Sequence, residues 1–297
     1  MTHPVYLLYR AGGAIIPRIP PAAGYALCRL AAGVAYRFNR TGRAAVQRNL
    51  RVILGPDAPL SEINRRARQT FNTILYNYFD LFRLPALTDE AVNQLVTVEG
   101  WPNVEAALSE GKGIVMTSAH LGNIEVVLYA MLLRGLQITI PVERVEPPEL
   151  YEYLSALRMS KGLKLIPIDG PLLHLIRTLK KGGVAGLAAD RDITQSGQVI
   201  NFFGRPAQLP DGHIRLALKT GAPLVVGFSR RTPNHTYHAT FLPPYHPPAN
   251  GTEEERVAAG MKFILSQMET AIAQQPEQWT VTASIWADAP APGAPGQ

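Results

Sequence analysis

Apolar and polar positions divide the chain into two textures. As far as residue 56, arginines alternate with the apolar clusters Tyr6-Leu7-Leu8 and Ala14-Ile15-Ile16, then with a stretch containing Tyr25, Leu27, Leu30 and Val34. This pattern predicts two short helices, divided near Pro17 to Pro21, with arginines on one side and Leu, Ile, Tyr and Ala on the other. Thr41 is positioned to cap a third helix that runs to Leu54 and ends at Gly55-Pro56. Ser61 is positioned to cap a fourth, where Ile63, Ala67, Phe71, Ile74, Tyr78 and Leu81 recur at helical spacing up to about Leu84. From residue 95 short apolar runs at 113–117, 137–141, 163–168, 184–189 and 223–227 read as buried strands. Helical stretches at 122–134, 147–160, 171–181 and 211–220 separate them. The alternation predicts an α/β domain with a largely parallel sheet flanked by helices. An edge strand at 237–242 and a C-terminal helix at 252–274 complete it, and the Pro/Ala/Gly tail 289–297 reads as disordered.

Composition sharpens this division. The 297 residues are 46 % apolar and 18 % charged with a formal charge of +6, which excludes general disorder. Residues 1–56 carry eight arginines and no Lys, Asp or Glu, so taking +8 from +6 leaves the remainder at −2. The longest uncharged gap there runs only from Ile19 to Cys28 and holds Pro20 and Pro21, too short for a span of about 20 apolar residues. Arginines also interrupt any signal-peptide core. The segment is therefore expected to lie on an anionic leaflet, with Arg10, Arg18, Arg29 and Arg37 reaching lipid phosphates. The alternative is an ordinary helical layer with solvated arginines. A nucleic-acid partner is not expected, because no polar recognition surface is interleaved. The chain thus divides into a membrane-associating segment 1–56, an α/β domain 57–288 with a helical lead-in over 57–90, and the tail.

Several chemistries are absent. There is no G-x-S-x-G elbow, phosphate-binding P-loop or G-x-G-x-x-G fingerprint. The lone Cys28 excludes a disulfide framework. His235, His238 and His246 lack a carboxylate nearby in the sequence, and no metal site is expected. In open α/β sheets ligands bind beyond the carboxyl ends of strands. There, after the first apolar run, stands His120-Leu-Gly-Asn-Ile-Glu125. Five residues on one regular helix would turn the two side chains about 140° apart. They meet only if His120 sits in the turn and Glu125 in the first helical turn, with Gly122 bending the chain and Asn123 capping. A His–carboxylate pair without a protein nucleophile suits general-base activation of a substrate hydroxyl. The competing reading is a buried histidine satisfied by a capping interaction.

His120-Leu-Gly-Asn-Ile-Glu125 resembles the H-x4-D/E signature of the lipid A biosynthesis acyltransferase family, which includes lauroyl/myristoyl transferases and mycobacterial phosphatidylinositol mannoside acyltransferases. Glu143-Arg144, Arg158, Asp190-Arg191-Asp192, Asn201-Phe-Phe-Gly204, Pro210-x-Gly212, Thr220-Gly-Ala-Pro223 and Pro276-Glu-Gln-Trp279 follow in collinear order over about residues 10–280. Asp-Arg-Asp at 190–192, where many lipid A enzymes have Asp-Gln-Asp, is closer to the phosphatidylinositol mannoside branch. The resemblance implies a glycerolipid-acyltransferase-like fold on the cytoplasmic face of the inner membrane. It implies transfer of an acyl group from acyl-CoA or acyl carrier protein to a glycolipid or phospholipid hydroxyl, without a further cofactor. His120 would be the base and Glu125 its partner. Asn123, Glu143, Arg144, Arg158, Asp190, Arg191 and Asp192 would contact substrate, Arg158 through phosphate and residues 190–192 through sugar or headgroup. Pairing of Glu143 with Arg144 or Arg158 is an equal alternative. The rival readings are a metal-dependent glycosyltransferase using Asp190-Arg-Asp192, and a non-catalytic peripheral lipid-binding protein.

Overall fold

Stripes of period 3.6 become helices and short apolar runs become strands, nearly where the pattern places them. The computed structural model describes residues 3–287, so the expected disordered tail lies outside the described residues. Four helices open the chain: α1 (Pro4–Ile15), α2 (Pro21–Phe38), α3 (Arg40–Leu54) and α4 (Leu60–Arg83). A short helix α5 (Asp89–Leu95) leads into strand β1 (Val96–Glu99). Then follow α6 (Trp101–Ser109), β2 (Ile114–Ser118), α7 (Ile124–Leu133), β3 (Ile138–Val142), α8 (Pro148–Met159), β4 (Lys164–Pro167), α9 (Leu173–Lys180) and β5 (Val184–Ala188). A hairpin of β6 (Gln198–Phe202) and β7 (Arg205–Leu209) precedes α10 (Gly212–Thr220), β8 (Leu224–Arg231), β9 (Tyr237–Phe241) and α11 (Glu253–Gln274).

Seven strands form one sheet in the order β1-β9-β8-β2-β5-β3-β4, parallel throughout except between β8 and β9. The structure corrects the expected edge: β9 lies inside, and β1 covers it. Strand β1 and the β6–β7 hairpin escape the sequence pattern because polar residues interrupt Val-Thr-Val-Glu, Gln-Val-Ile-Asn-Phe and Arg-Pro-Ala-Gln-Leu and leave no continuous apolar run. The helix caps shift as well. Asn39, not Thr41, caps α3 by accepting from the Gly42 N–H at 2.8 Å, and Pro59, not Ser61, precedes α4.

Alternation along the central strand β2 divides the core. Ile114 and Met116 face a cluster built on α6 and α7, while Val115 faces one built on α9, α10 and α11. Helices α2 and α3 pack on α4 rather than on the sheet, with Ala32, Val46, Leu50, Ile63, Ala67 and Phe71 forming a separate cluster, and α1 rests on α4 and α8 through Tyr9 against Phe82 and Tyr6 against Tyr153. Their free side is apolar: Leu7, Leu8, Leu27, Leu30, Val34 and Phe38 are all more than half exposed. Arg10, Arg18, Arg29 and Arg37 are exposed alongside them. Among the described residues no helix is long and apolar enough to cross a membrane.

Helices α2 and α4 approach so closely that a Cβ on Gly24 would stand 2.1 Å from the Phe79 ring. Gly24→Val is therefore expected to destabilise the protein by about 1–3 kcal/mol, read as a lowered melting temperature. Gly33→Ala, on the same helix but facing open space, is expected to leave it unchanged or slightly raised.

Candidate active site

Strands β2 and β5 are parallel neighbours, with Ser118 opposite Ala188. Two residues beyond each partner come His120 and Asp190, so equal offsets from one register deliver both to the same sheet edge. There His120 Nδ1 lies 2.8 Å from Asp190 Oδ1, and the His120 backbone N–H donates to Asp190 Oδ2 at 2.7 Å. Trp279 Nε1 donates to the same oxygen at 2.7 Å. Asp190 is 0 % exposed and its imidazole partner half-buried. Burial alone would push the carboxyl up, but the His120 charge and the bonds from His120 and Trp279 hold it below the usual carboxylate range. Burial likewise pulls His120 down, and the Asp190 charge and hydrogen bond outweigh it, so the imidazole sits above its ordinary value. An ionised carboxylate only accepts, so Nδ1 carries the proton and Nε2 remains an acceptor.

This corrects the partner inferred for His120. The carboxylate against the imidazole is Asp190, and Glu125 turns instead to Arg158, whose Nε donates at 2.6 Å. Glu125 remains near enough for its charge to raise His120 further. Asp190 for its part is not available to a sugar or headgroup, since it is fully buried and bonded to His120 and Trp279. Asn123 is buried too. Its Oδ1 accepts from the Glu125 and Val126 N–H groups, so two donors of the α7 N-terminus are already occupied. Its Nδ2 donates to Tyr237 Oη at 3.2 Å and approaches Asp80. Gly122 holds φ +64°, and a Cβ there would lie 2.3 Å from the Ser229 carbonyl oxygen, so the turn requires glycine.

The pair stands at a cavity of about 760 Å³, a size suited to a small-molecule or lipid ligand. Its inner wall is apolar, with Met116, Val127, Leu128, Met131, Ile138 and Phe241 between α7 and the sheet. Two charged pairs also line it: Glu125 with Arg158, and Glu143 with Arg191 at 3.1 Å. Glu143 thus pairs with neither Arg144 nor Arg158. Arg144 points outward to Asp169 at 3.4 Å, with both side chains mostly exposed, and does not line the cavity. Asp192 lines it, but its Oδ2 accepts from the Gly197 N–H at 2.8 Å and so ties down the loop into β6.

Sequence reasoning did not single out Trp279 or His213. Trp279 carried a signal in the Pro-Glu-Gln-Trp block, whereas His213 carried none. His213 lines the cavity, is 1 % exposed, and burial lowers its pKa to about 3, keeping it neutral. Among the described residues no three His, Cys, Asp or Glu side chains converge as a metal would require. His238 and His246 instead reach Glu99 and Glu110 separately.

A family model described as bacterial lipid A biosynthesis acyltransferase matches residues 1–286. The chain belongs to that family. Among its relatives, the phosphatidylinositol mannoside acyltransferase of Mycobacterium tuberculosis (strain CDC 1551 / Oshkosh) is 28 % identical over 201 residues, 65 % of this chain and 63 % of the relative's length. The protein of the same name from Mycolicibacterium smegmatis is 28 % identical over 220 residues, 73 % of this chain and 71 % of that one. A solved structure, the 1-acyl-sn-glycerophosphate acyltransferase PlsC from Thermotoga maritima, covers 83 % of this family member and 95 % of its own chain. Its TM-score is 0.37 at 15 % identity.

The geometry sets the titration of the pair. The imidazole of His120 is expected to titrate above about 6.5, and Asp190→Asn to bring it down, read from its ring proton shifts. The pair's contribution to stability is expected to be fullest between about pH 4 and pH 6.5. It is lost in acid as Asp190 protonates, and in base as His120 loses its proton.

Proposed function

We propose that the protein transfers a fatty acyl group from an acyl thioester to a hydroxyl of a membrane glycolipid or phospholipid, with His120 as general base. The observation that carries this is the His120–Asp190 pair, with His120 lining a largely apolar cavity. Neutral His120 takes the acceptor's hydroxyl proton at Nε2 as the oxygen attacks the thioester carbonyl. Asp190 stays ionised, fixes the tautomer and stabilises the imidazolium. Collapse of the tetrahedral intermediate breaks the C–S bond, and the imidazolium returns its proton to the departing thiolate. The apolar wall suits the acyl chain. Beside it, the Arg158 and Arg191 guanidiniums, each already paired to one carboxylate, suit phosphate through their remaining donors.

The acceptor is a phosphatidylinositol mannoside-like or lipid A precursor-like molecule, as the names of the relatives and of the family suggest. The donor is acyl-CoA or acyl carrier protein, and no further cofactor is required. The protein works as a peripheral enzyme on the anionic cytoplasmic face of the inner membrane. Support for this comes from the exposed apolar side of α1 and α2 with Arg10, Arg18, Arg29 and Arg37 exposed around it. A metal-dependent glycosyltransferase finds no support in a loop whose Asp190 is committed to His120.

His120→Ala is expected to lower acyl transfer by roughly 10²–10⁴-fold with an unchanged circular dichroism spectrum, and near wild-type transfer would sink the base assignment. Because the base acts when neutral, the acid limb of the rate against pH is expected above about 6.5, and Asp190→Asn to shift it downward. Binding to anionic but not neutral liposomes, weakened by salt, is expected of the wild type. Binding that survives removal of residues 1–40 would reject the membrane role of that segment.

A further inference from the structure

A second groove of about 760 Å³ lies between α2, α3 and α4, and it shares no lining residue with the cavity at His120. Its wall carries Arg29 and Arg37 from α2, Arg43 from α3 and Arg68 from α4, and no Asp or Glu. Among the described residues none of these four arginines enters an ion pair, whereas Arg65 and Arg66 on the neighbouring turn of α4 both hold Glu62. Like charges gathered without a counter-ion repel one another, so the arrangement is one that an anion completes. Two of the arginines are also held in place. Arg43 and Arg68 both meet the Tyr36 ring, at 5.4 and 5.3 Å from its centroid, and Arg43 donates to the Tyr36 carbonyl at 3.2 Å. Guanidinium forks grip phosphate through two parallel bonds.

The groove borders an apolar ridge. On the same helix Leu27, Leu30, Val34 and Phe38 recur at spacings of three and four, with exposures of 53, 71, 59 and 77 %. At 100° per residue Arg37 stands on the flank of that ridge, and Arg29 farther round towards the groove. A free phosphate or a nucleic acid has no use for such a ridge; an amphipathic ligand uses both surfaces.

We infer that this groove is a binding site for the phosphate of one anionic phospholipid molecule, whose acyl chains lie along the Leu30–Val34–Phe38 ridge. The inference rests on the proposal that the chain meets an anionic leaflet, and it replaces diffuse attraction by a defined headgroup site away from the His120 cavity.

The test uses the full chain and two exposed double variants of equal charge change: R37Q/R68Q in the groove, and R40Q/R51Q on α3 outside it. Sedimentation with phosphatidylcholine vesicles containing phosphatidylglycerol is expected to show the groove variant weakened at least about tenfold more than the control. Both variants are expected to melt as the wild type does. Equal losses in the two variants would overturn the site and leave diffuse membrane attraction standing. Wild-type binding to vesicles charged with oleate as tight as to phosphatidylglycerol would overturn the phosphate assignment. Titration of dihexanoyl-phosphatidylglycerol below its micelle concentration, followed by the arginine Nε–H resonances, tests the groove without any bilayer. Shifts of Arg29, Arg37, Arg43 and Arg68 by the short-chain lipid, and weaker ones by inorganic phosphate, are expected. Inorganic phosphate binding as tightly would assign the groove to a soluble anion and overturn the lipid. No vesicle binding by the wild type, with these shifts intact, would refute the leaflet proposal and not the groove.

Discussion

A carboxylate sealed from water persists in its charged form only where donors surround it, and Asp190 meets that condition three times over. The His120 imidazole, the His120 backbone and the Trp279 indole all donate to it. Desolvating such a group costs several kcal/mol unless it is paired and hydrogen-bonded, so the two segments that supply the donors are held to the one that carries the carboxylate by the same requirement. The turn after β2, the turn after β5 and the segment following α11 cannot shift independently. The tautomer of His120 and the direction of its second nitrogen follow from that constraint.

A second buried carboxylate ties the N-terminal helices to this assembly. Asp80 on α4 takes Arg231 of β8 at 2.6 Å, Tyr25 of α2 at 2.7 Å and the hydroxyl of Tyr237 on β9, and it approaches Asn123, the cap of α7. Asn77 donates to the Gly122 carbonyl at 2.6 Å. The turn that carries His120 is therefore suspended from α4, and through Tyr25 from the helix that exposes the apolar ridge. Two polar contacts, Tyr25 to Asp80 and Asn123 to Asp80, thus connect α2 with the neighbourhood of His120.

The parts of this arrangement that were legible in the sequence are those governed by local rules. Helical spacing marked the stripe of α4, apolar runs marked five strands, and Gly122-Asn123 announced a turn and a cap. The imidazole at a strand's carboxyl end was legible for the same reason. Its partner was not, because Asp190 is 70 residues away and reaches His120 only through the order of strands, which periodicity does not encode. Glu125, near in sequence, was drawn off by Arg158 from α8, another contact made across the fold. Edge strand β1 was hidden by the polar residues that interrupt it, and the position of β9 by a strand order that periodicity does not encode.

Thr280 donates both its backbone N–H and its hydroxyl to the His120 carbonyl, at 2.9 and 3.0 Å, and its neighbour Trp279 closes over Asp190. The ribosome makes these two residues more than 150 positions after His120 and well after the amphipathic helices at the start. Chains emerge and fold from the N-terminus. A growing chain therefore acquires its apolar ridge and arginine groove long before the imidazole–carboxylate pair can be enclosed. Order of synthesis thus places the ridge and groove first and the enclosed pair last, and a chain halted before residue 279 carries the first without the second.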